Sequence, residues 1–345
     1  MDIVTNRFRG TGMDAPELTE IPWPSQDAKA PAALLQRCPR AGATPLVSSP
    51  ALAAAAGVAE LWIKDERDRM GLGSFKALGA AHVIACDAEM GLARGRCYVT
   101  ASAGNHGLSV AAGATAFGAR SVIYLSHEVP EGFAARLRAE GAQVLRDGAT
   151  YEASMEAAQR AAKREGWDLL SDSSWPGYTA RPHRLMQGYL VLMQEAIDQM
   201  ETAPGHIFLQ AGVGGLAAAC AGLARAAWGS APRIVVVEPD AAPALINSIR
   251  AGAPVKTDGP VSDMGRLDCK IPSLIALKGL ARDADDFITI TESEGHAGAV
   301  SCAAEGLETT PSGAAGISGL LAAGDTLGLT PQSRVLVILS EGPET

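Results

Sequence analysis

Gly71-Leu72-Gly73-Ser74-Phe75-Lys76-Ala77-Leu78-Gly79 is the stretch on which the reading of this chain turns. It begins as a glycine-bracketed turn and ends as the first turn of a helix, with a lysine at the joint. Small neighbours leave room there for a flat ligand, and a helix N-terminus together with desolvation lowers the pKa of an amine. Only a neutral amine attacks an aldehyde, so such a place suits a nucleophilic lysine. Taken alone, the commoner reading is an exposed lysine at a helix start.

Outward from this stretch, short apolar runs alternate with helix-length segments, the pattern of an α/β fold built on parallel sheets. Strands are expected at 60–64, 96–100, 121–125, 143–146, 207–210, 234–238, 287–291 and 335–339. Several lack polar alternation, as strands covered on both faces do. Helices are expected at 75–90, 107–117, 131–140, 151–165, 185–200, 217–227 and 313–327, with Asp147-Gly148 and Gly166 punctuating the fourth. The first forty residues are rich in proline and weakly patterned, which predicts a surface arm.

Three further loops follow strands in this pattern. Thr100-Ala101-Ser102-Ala103-Gly104-Asn105-His106-Gly107 lies at the C-terminal end of its strand, where open α/β sheets bind ligands, and its N–H groups suit a carboxylate. A well-capped turn explains the same residues equally well. Gln210-Ala211-Gly212-Val213-Gly214-Gly215-Leu216 offers bare N–H groups to a phosphate. With Ala217 it also fits the dinucleotide pattern, and Glu238 stands where a ribose-binding acid is expected. The last strand delivers Ser340-Glu341-Gly342 to the same edge, and Ser312 opens the preceding helix, where capping is the simpler duty.

Composition bounds the function. The 345 residues are 47% hydrophobic and 19% charged, with a net charge of −9 and no basic cluster, which argues against nucleic-acid or anionic-membrane partners. Six cysteines show no zinc-ligand spacing and read as reduced thiols. The polar N-terminus resembles neither a signal peptide nor an anchor, and a cytoplasmic protein is expected.

In this order the four loops resemble fold-type II pyridoxal-phosphate (PLP) enzymes, and most nearly the diaminopropionate ammonia-lyases and serine/threonine dehydratases. The likeness also takes in Ala43-Thr44-Pro45-Leu46, Ser171-Asp172-Ser173-Ser174-Trp175, Val236-Val237-Glu238-Pro239-Asp240 and Gly265-Arg266-Leu267-Asp268-Cys269-Lys270. It covers roughly residues 40 to 342. The resemblance implies that Lys76 carries PLP as a Schiff base and that Asn105 meets the cofactor's 3′-oxygen. It assigns the phosphate to Gly212, Val213, Gly214, Gly215 and Leu216, and the pyridine nitrogen to Ser340. Ser102, Ala103, Gly104 and His106 then line the substrate carboxylate site, with Asp172 near the substrate. A local reading of Asp172, as a helix cap beside Ser173, stays open.

The resemblance further implies a β-eliminating lyase that converts a β-substituted L-amino acid to a 2-oxo acid and ammonia, working as a homodimer. A large domain is expected from residues 1–94 and 180–345, a small one from 95–179, and the cofactor in the cleft between them. Ala103 departs from the ammonia-lyases, which carry Asp there, so a base is expected on only one face of the substrate. Arg266 and Lys270 replace small residues; they read either as receptors for a distal carboxylate or, more commonly, as solvated charges. Ala244 stands where relatives with a divalent cation have an acid, so no metal is expected. The rival readings are a β-replacement synthase, an NAD-dependent dehydrogenase built on residues 212–217, and a PLP-binding module without catalysis.

Overall fold

The protein is described here from a computed structural model covering residues 1–344. Two sheets organise it. The larger runs Ile3–Thr5, Asp286–Ile290, Arg233–Pro239, His206–Gln210, Arg334–Leu339, Glu60–Asp65, Leu46–Ser48. Its five inner strands are parallel and the two edges pair antiparallel. The smaller runs Gln143–Arg146, Arg120–Leu125, Cys97–Ala101, Asp168–Leu169, all parallel. Strand interiors such as Phe208, Val236 and Val337 are fully buried, as parallel strands sandwiched between helices must be.

The expected parallel α/β architecture is present, with differences of physical origin. The antiparallel edge Ile3–Thr5 comes from the N-terminal arm, which also buries Met13, Leu18 and Ile21. The arm is therefore part of the core as well as a surface wrap. The helix expected at 185–200 begins at Ala180, because Pro182 falls in its first turn, where a missing N–H costs nothing. Short helices at Lys29–Leu35, Ala244–Ala251, Leu274–Asp283 and Glu292–Ala304 had no strong signal.

Two buried ionic assemblies fix what surrounds the site. Beneath the 71–75 turn, Arg69 donates to Glu66 (2.6 and 2.7 Å) and Glu195 (2.7 and 2.9 Å), while Lys64 reaches Glu195 at 2.7 Å. Lys64, Glu66 and Arg69 have no solvent-exposed surface. Where the chain passes between the sheets, Asp87 receives Tyr98 at 2.8 Å, Arg184 at 3.3 Å and Arg181, with Arg96 at 3.6 Å. Arg181 and Arg96 also hold Asp168. Both crossings of the chain, near residues 95 and 180, are tied to this one carboxylate.

Candidate active site

Lys76 is the first residue of the helix Lys76–Glu89, behind a turn stitched to the end of the last strand. Phe75 N–H donates to Ser340 O at 3.1 Å, and Gly342 N–H to Gly73 O at 3.0 Å. The Lys76 ammonium donates to Asp172 Oδ2 at 2.5 Å, with side chains 20% and 18% exposed. Burial alone pulls the ammonium pKa down, but the charge of Asp172 and the hydrogen bond to it outweigh that pull. The net result is an amine held protonated well above its ordinary range. Burial likewise pushes Asp172 up, and the charge of Lys76 with its hydrogen bond brings it well below the usual carboxylate range. Asp172 is no helix cap.

The 102–107 turn faces this pair. Ser102 Oγ accepts from Gly104 N–H at 3.2 Å and Gly107 N–H at 3.1 Å, so in this state the hydroxyl shapes the turn. Asn105 Nδ2 donates to the Glu341 carboxylate, which also receives the Thr310 hydroxyl. His106 is buried, and its Nε2 lies 2.8 Å from Leu170 O. Burial pushes its pKa down, so the ring is neutral, Nε2–H donates, and Nδ1 is left as an acceptor with no partner.

The helix Gly215–Trp228 starts from Gly214, whose φ of +95° only glycine adopts easily, and no side chain caps its first N–H groups. A side chain at Gly212 would meet Cys269 Sγ at 3.0 Å and Arg266 O at 3.1 Å. This is a bare N-terminus of the kind that takes phosphate. Around Lys76 three buried polar atoms have no partner: Ser74 Oγ, Tyr189 OH and His106 Nδ1. The Tyr189 ring centroid is 5.7 Å from Lys76 Nζ. Orphaned polar atoms beside an uncapped helix start fit a polar, phosphate-bearing ligand such as PLP.

Other residues fall differently from the sequence reading. Ser312 does not cap its helix; Thr310 does, and Ser312 Oγ accepts the Arg266 N–H at 3.2 Å. Lys270 donates to Ala241 O, Pro260 O and Asp268, so it braces its own loop and is not a free receptor. Arg266 is neither free in solvent nor part of that brace: its guanidinium lies against Gly104. Glu238 is fully buried and accepts from Leu245 and Ile246 N–H, both at 2.7 Å, which removes the ribose-binding acid that the dinucleotide reading needs. Among the described residues no three His, Cys, Asp or Glu side chains gather as metal ligands. Tyr189, on a helix without a motif, and Glu341, quoted above without a role, were missed.

The chain matches the family described as pyridoxal-phosphate dependent enzymes over residues 38–341. It belongs to that family. The diaminopropionate ammonia-lyase of Escherichia coli K12 is 30% identical over 271 residues, which span 72% of this chain and 68% of that one. A mouse serine dehydratase-like protein is 32% identical over 213 residues, 61% of each chain. The E. coli lyase solved in complex with an aminoacrylate-PLP azomethine reaction intermediate superposes with a TM-score of 0.86 at 30% identity, covering 99% of this chain and 93% of its own. The fold is therefore that of the fold-type II PLP enzymes, and this family member is an enzyme of their β-eliminating lyase group.

Proposed function

We propose that Lys76 is the cofactor-bearing and proton-accepting lysine of a lyase that removes the β-substituent of an L-amino acid, giving a 2-oxo acid and ammonia. The observation that carries this reading is the pairing of Lys76 with Asp172 inside a ring of unpartnered polar atoms, where all four loops meet. The residues that would hold PLP are Lys76, Asn105, Gly212, Val213, Gly214, Gly215, Leu216 and Ser340. When bound, PLP supplies the electron sink that makes the α-proton of an amino acid labile.

The chain's own groups do the rest. Lys76 Nζ, once free and neutral, is the base of the cleft, and Asp172 stabilises the ammonium that forms when it takes a proton. The 102–107 turn, opening the helix Asn105–Ala116, directs N–H groups at the place of the substrate carboxylate. Glu341 and Thr310 hold the Asn105 amide in one orientation. Neutral His106, fastened to Leu170 O, keeps the turn against the strand end without adding charge. Ser340 would bring a neutral hydroxyl to the cofactor's ring nitrogen, where a carboxylate would hold that nitrogen protonated.

Residues 95–179 would move as the small domain and close the cleft on the substrate. The expected homodimer would use an apolar groove of about 660 Å³ lined by Leu34, Leu35, Met70, Leu72 and Phe117. Six free thiols suit the reducing cytoplasm. The reading is tested by incubating the purified, PLP-loaded protein with L-serine, 2,3-diaminopropionate and L-threo-3-hydroxyaspartate and measuring 2-oxo acid and ammonia. Release of 2-oxo acid with one ammonia from either hydroxy amino acid, or with two from 2,3-diaminopropionate, supports it; binding of PLP without either product overturns it.

A further inference from the structure

Arg266 has no part in the machinery derived above, yet its position is closely fixed. Its N–H donates to Ser312 Oγ at 3.2 Å, and its carbonyl packs against Gly212. From that anchor beside the phosphate loop the side chain crosses to the substrate turn. A Cβ on Gly104 would lie 3.2 Å from Cζ, Nε and Nη1 of the guanidinium, so glycine is what lets the two approach. The Phe133 ring stands 5.6 Å away. One edge of the fork is engaged, because Nη2 donates to Glu344 at 3.0 Å. The edge toward the turn is not: Nε is buried with no hydrogen-bond partner. Its nearest carboxylate, Glu341 at 3.7 Å, is already taken by Asn105 and Thr310. A desolvated guanidinium N–H without an acceptor costs free energy, and a planar pair of N–H donors matches a carboxylate.

We propose that Arg266 receives a second, distal carboxylate of the substrate, so that the preferred substrate is a 2-amino dicarboxylate with its leaving group on the β-carbon. This deepens the β-elimination reading and rests on it. The 102–107 turn would take one carboxylate and Arg266, laid across Gly104, the other. Nη2 donating to Glu344 shows that this guanidinium pairs with a carboxylate at its outer edge. The charge also opposes a substrate with a second ammonium, which would meet a guanidinium beside the turn. For a 3-hydroxy compound the balance is closed: the α C–H and β C–O bonds break, and the hydroxyl departs with a proton as water. The enamine left behind then takes up one water, so that a 2-oxo dicarboxylate and ammonia are released, with no oxidant or reductant.

The test uses the PLP-loaded wild type, Arg266→Gln and Arg266→Lys. The ratio of kcat/KM for L-threo-3-hydroxyaspartate to that for L-serine should fall roughly 100-fold in Arg266→Gln, mostly through KM, and recover in part in Arg266→Lys. Calorimetric binding of succinate, a four-carbon dicarboxylate that cannot react, should weaken by a similar factor in Arg266→Gln. Equal losses for both amino acids, or unchanged succinate affinity, would overturn the proposal. If the wild type consumes neither amino acid, the elimination reading fails by itself, and the succinate arm still decides the role of Arg266.

Discussion

Lys76 and Asp172 meet at 2.5 Å although 96 residues separate them, and neither has another charged partner in direct contact. The pair joins the start of a helix behind the large sheet to the segment that follows the small one. It also favours the protonated form of the amine to which we assign the chemistry.

Without Asp172 the desolvation of Lys76 is no longer opposed, so the amine loses its proton at lower pH. Asp172→Asn should therefore move the alkaline-side rise in PLP uptake by the cofactor-free protein toward lower pH. The measurement is the rate of appearance of the cofactor's visible absorbance across pH 6–10. An unchanged profile would mean that Asp172 does not govern the amine.

Borohydride reduction and peptide mapping should place the pyridoxyl label on Lys76 alone. Lys64 is locked between Thr44 O and Glu195, and Lys270 between two carbonyls and Asp268. A label on either would refute the assignment. Lys76→Ala should abolish turnover and leave the far-ultraviolet circular dichroism as it is.

Only the L-isomer should be consumed at a useful rate. Ala103 carries no titratable atom, and Asp172 stands beside Lys76 rather than across the cleft from it. Parallel assays of both enantiomers of serine and threo-3-hydroxyaspartate check this, and Ala103→Asp is the single change most suited to gaining D-isomer activity. Equal turnover of a D-substrate by the unmodified enzyme would show that a second base exists.

Burial raises the Glu238 carboxyl to about 8 from an ordinary 4.5. The folded state thus keeps a proton that the unfolded chain has lost, and the stability this proton contributes is fully present below pH 4.5. It drains away as pH rises to about 8. Chemical denaturation of Glu238→Gln should show a flatter decline over that window than the wild type. Parallel curves would remove Glu238 from the account.

Glu66→Ala should destabilise by about 3–5 kcal/mol, because it leaves Arg69 in a dry interior with Glu195 as its one remaining charged partner. Urea denaturation reads the loss, and a change below about 1 kcal/mol would be that of a surface pair.

What was legible in the sequence was local. Gly71–Gly79, 100–107 and 212–216 announce themselves because a glycine-rich turn between a strand and a helix is written in consecutive residues. Asp172 was visible through resemblance and not through any spacing of its own. Tyr189 and Glu341 went unassigned because their importance arises from neighbours far away in the chain: Lys76 for the first, Asn105 and Thr310 for the second. Ser312 was misread for a similar reason, since its partner is the N–H of Arg266 and not the helix that it opens. The edge strand Ile3–Thr5 is three residues long, too short for alternation to show.

Asp87 lies eleven residues beyond Lys76 on the same helix, Lys76–Glu89. At 1.5 Å per residue that is a rod of about 16 Å with the Lys76 amine at one end and, at the other, the carboxylate holding both chain crossings. Such a rod would act as a lever with its fulcrum at Asp87. A tilt of about 5° there displaces the far tip by about 1.4 Å, enough to make or lose one hydrogen bond. If residues 95–179 close as proposed, the movement would reach Lys76 as sideways travel, and the cleft would be tuned from its remote end.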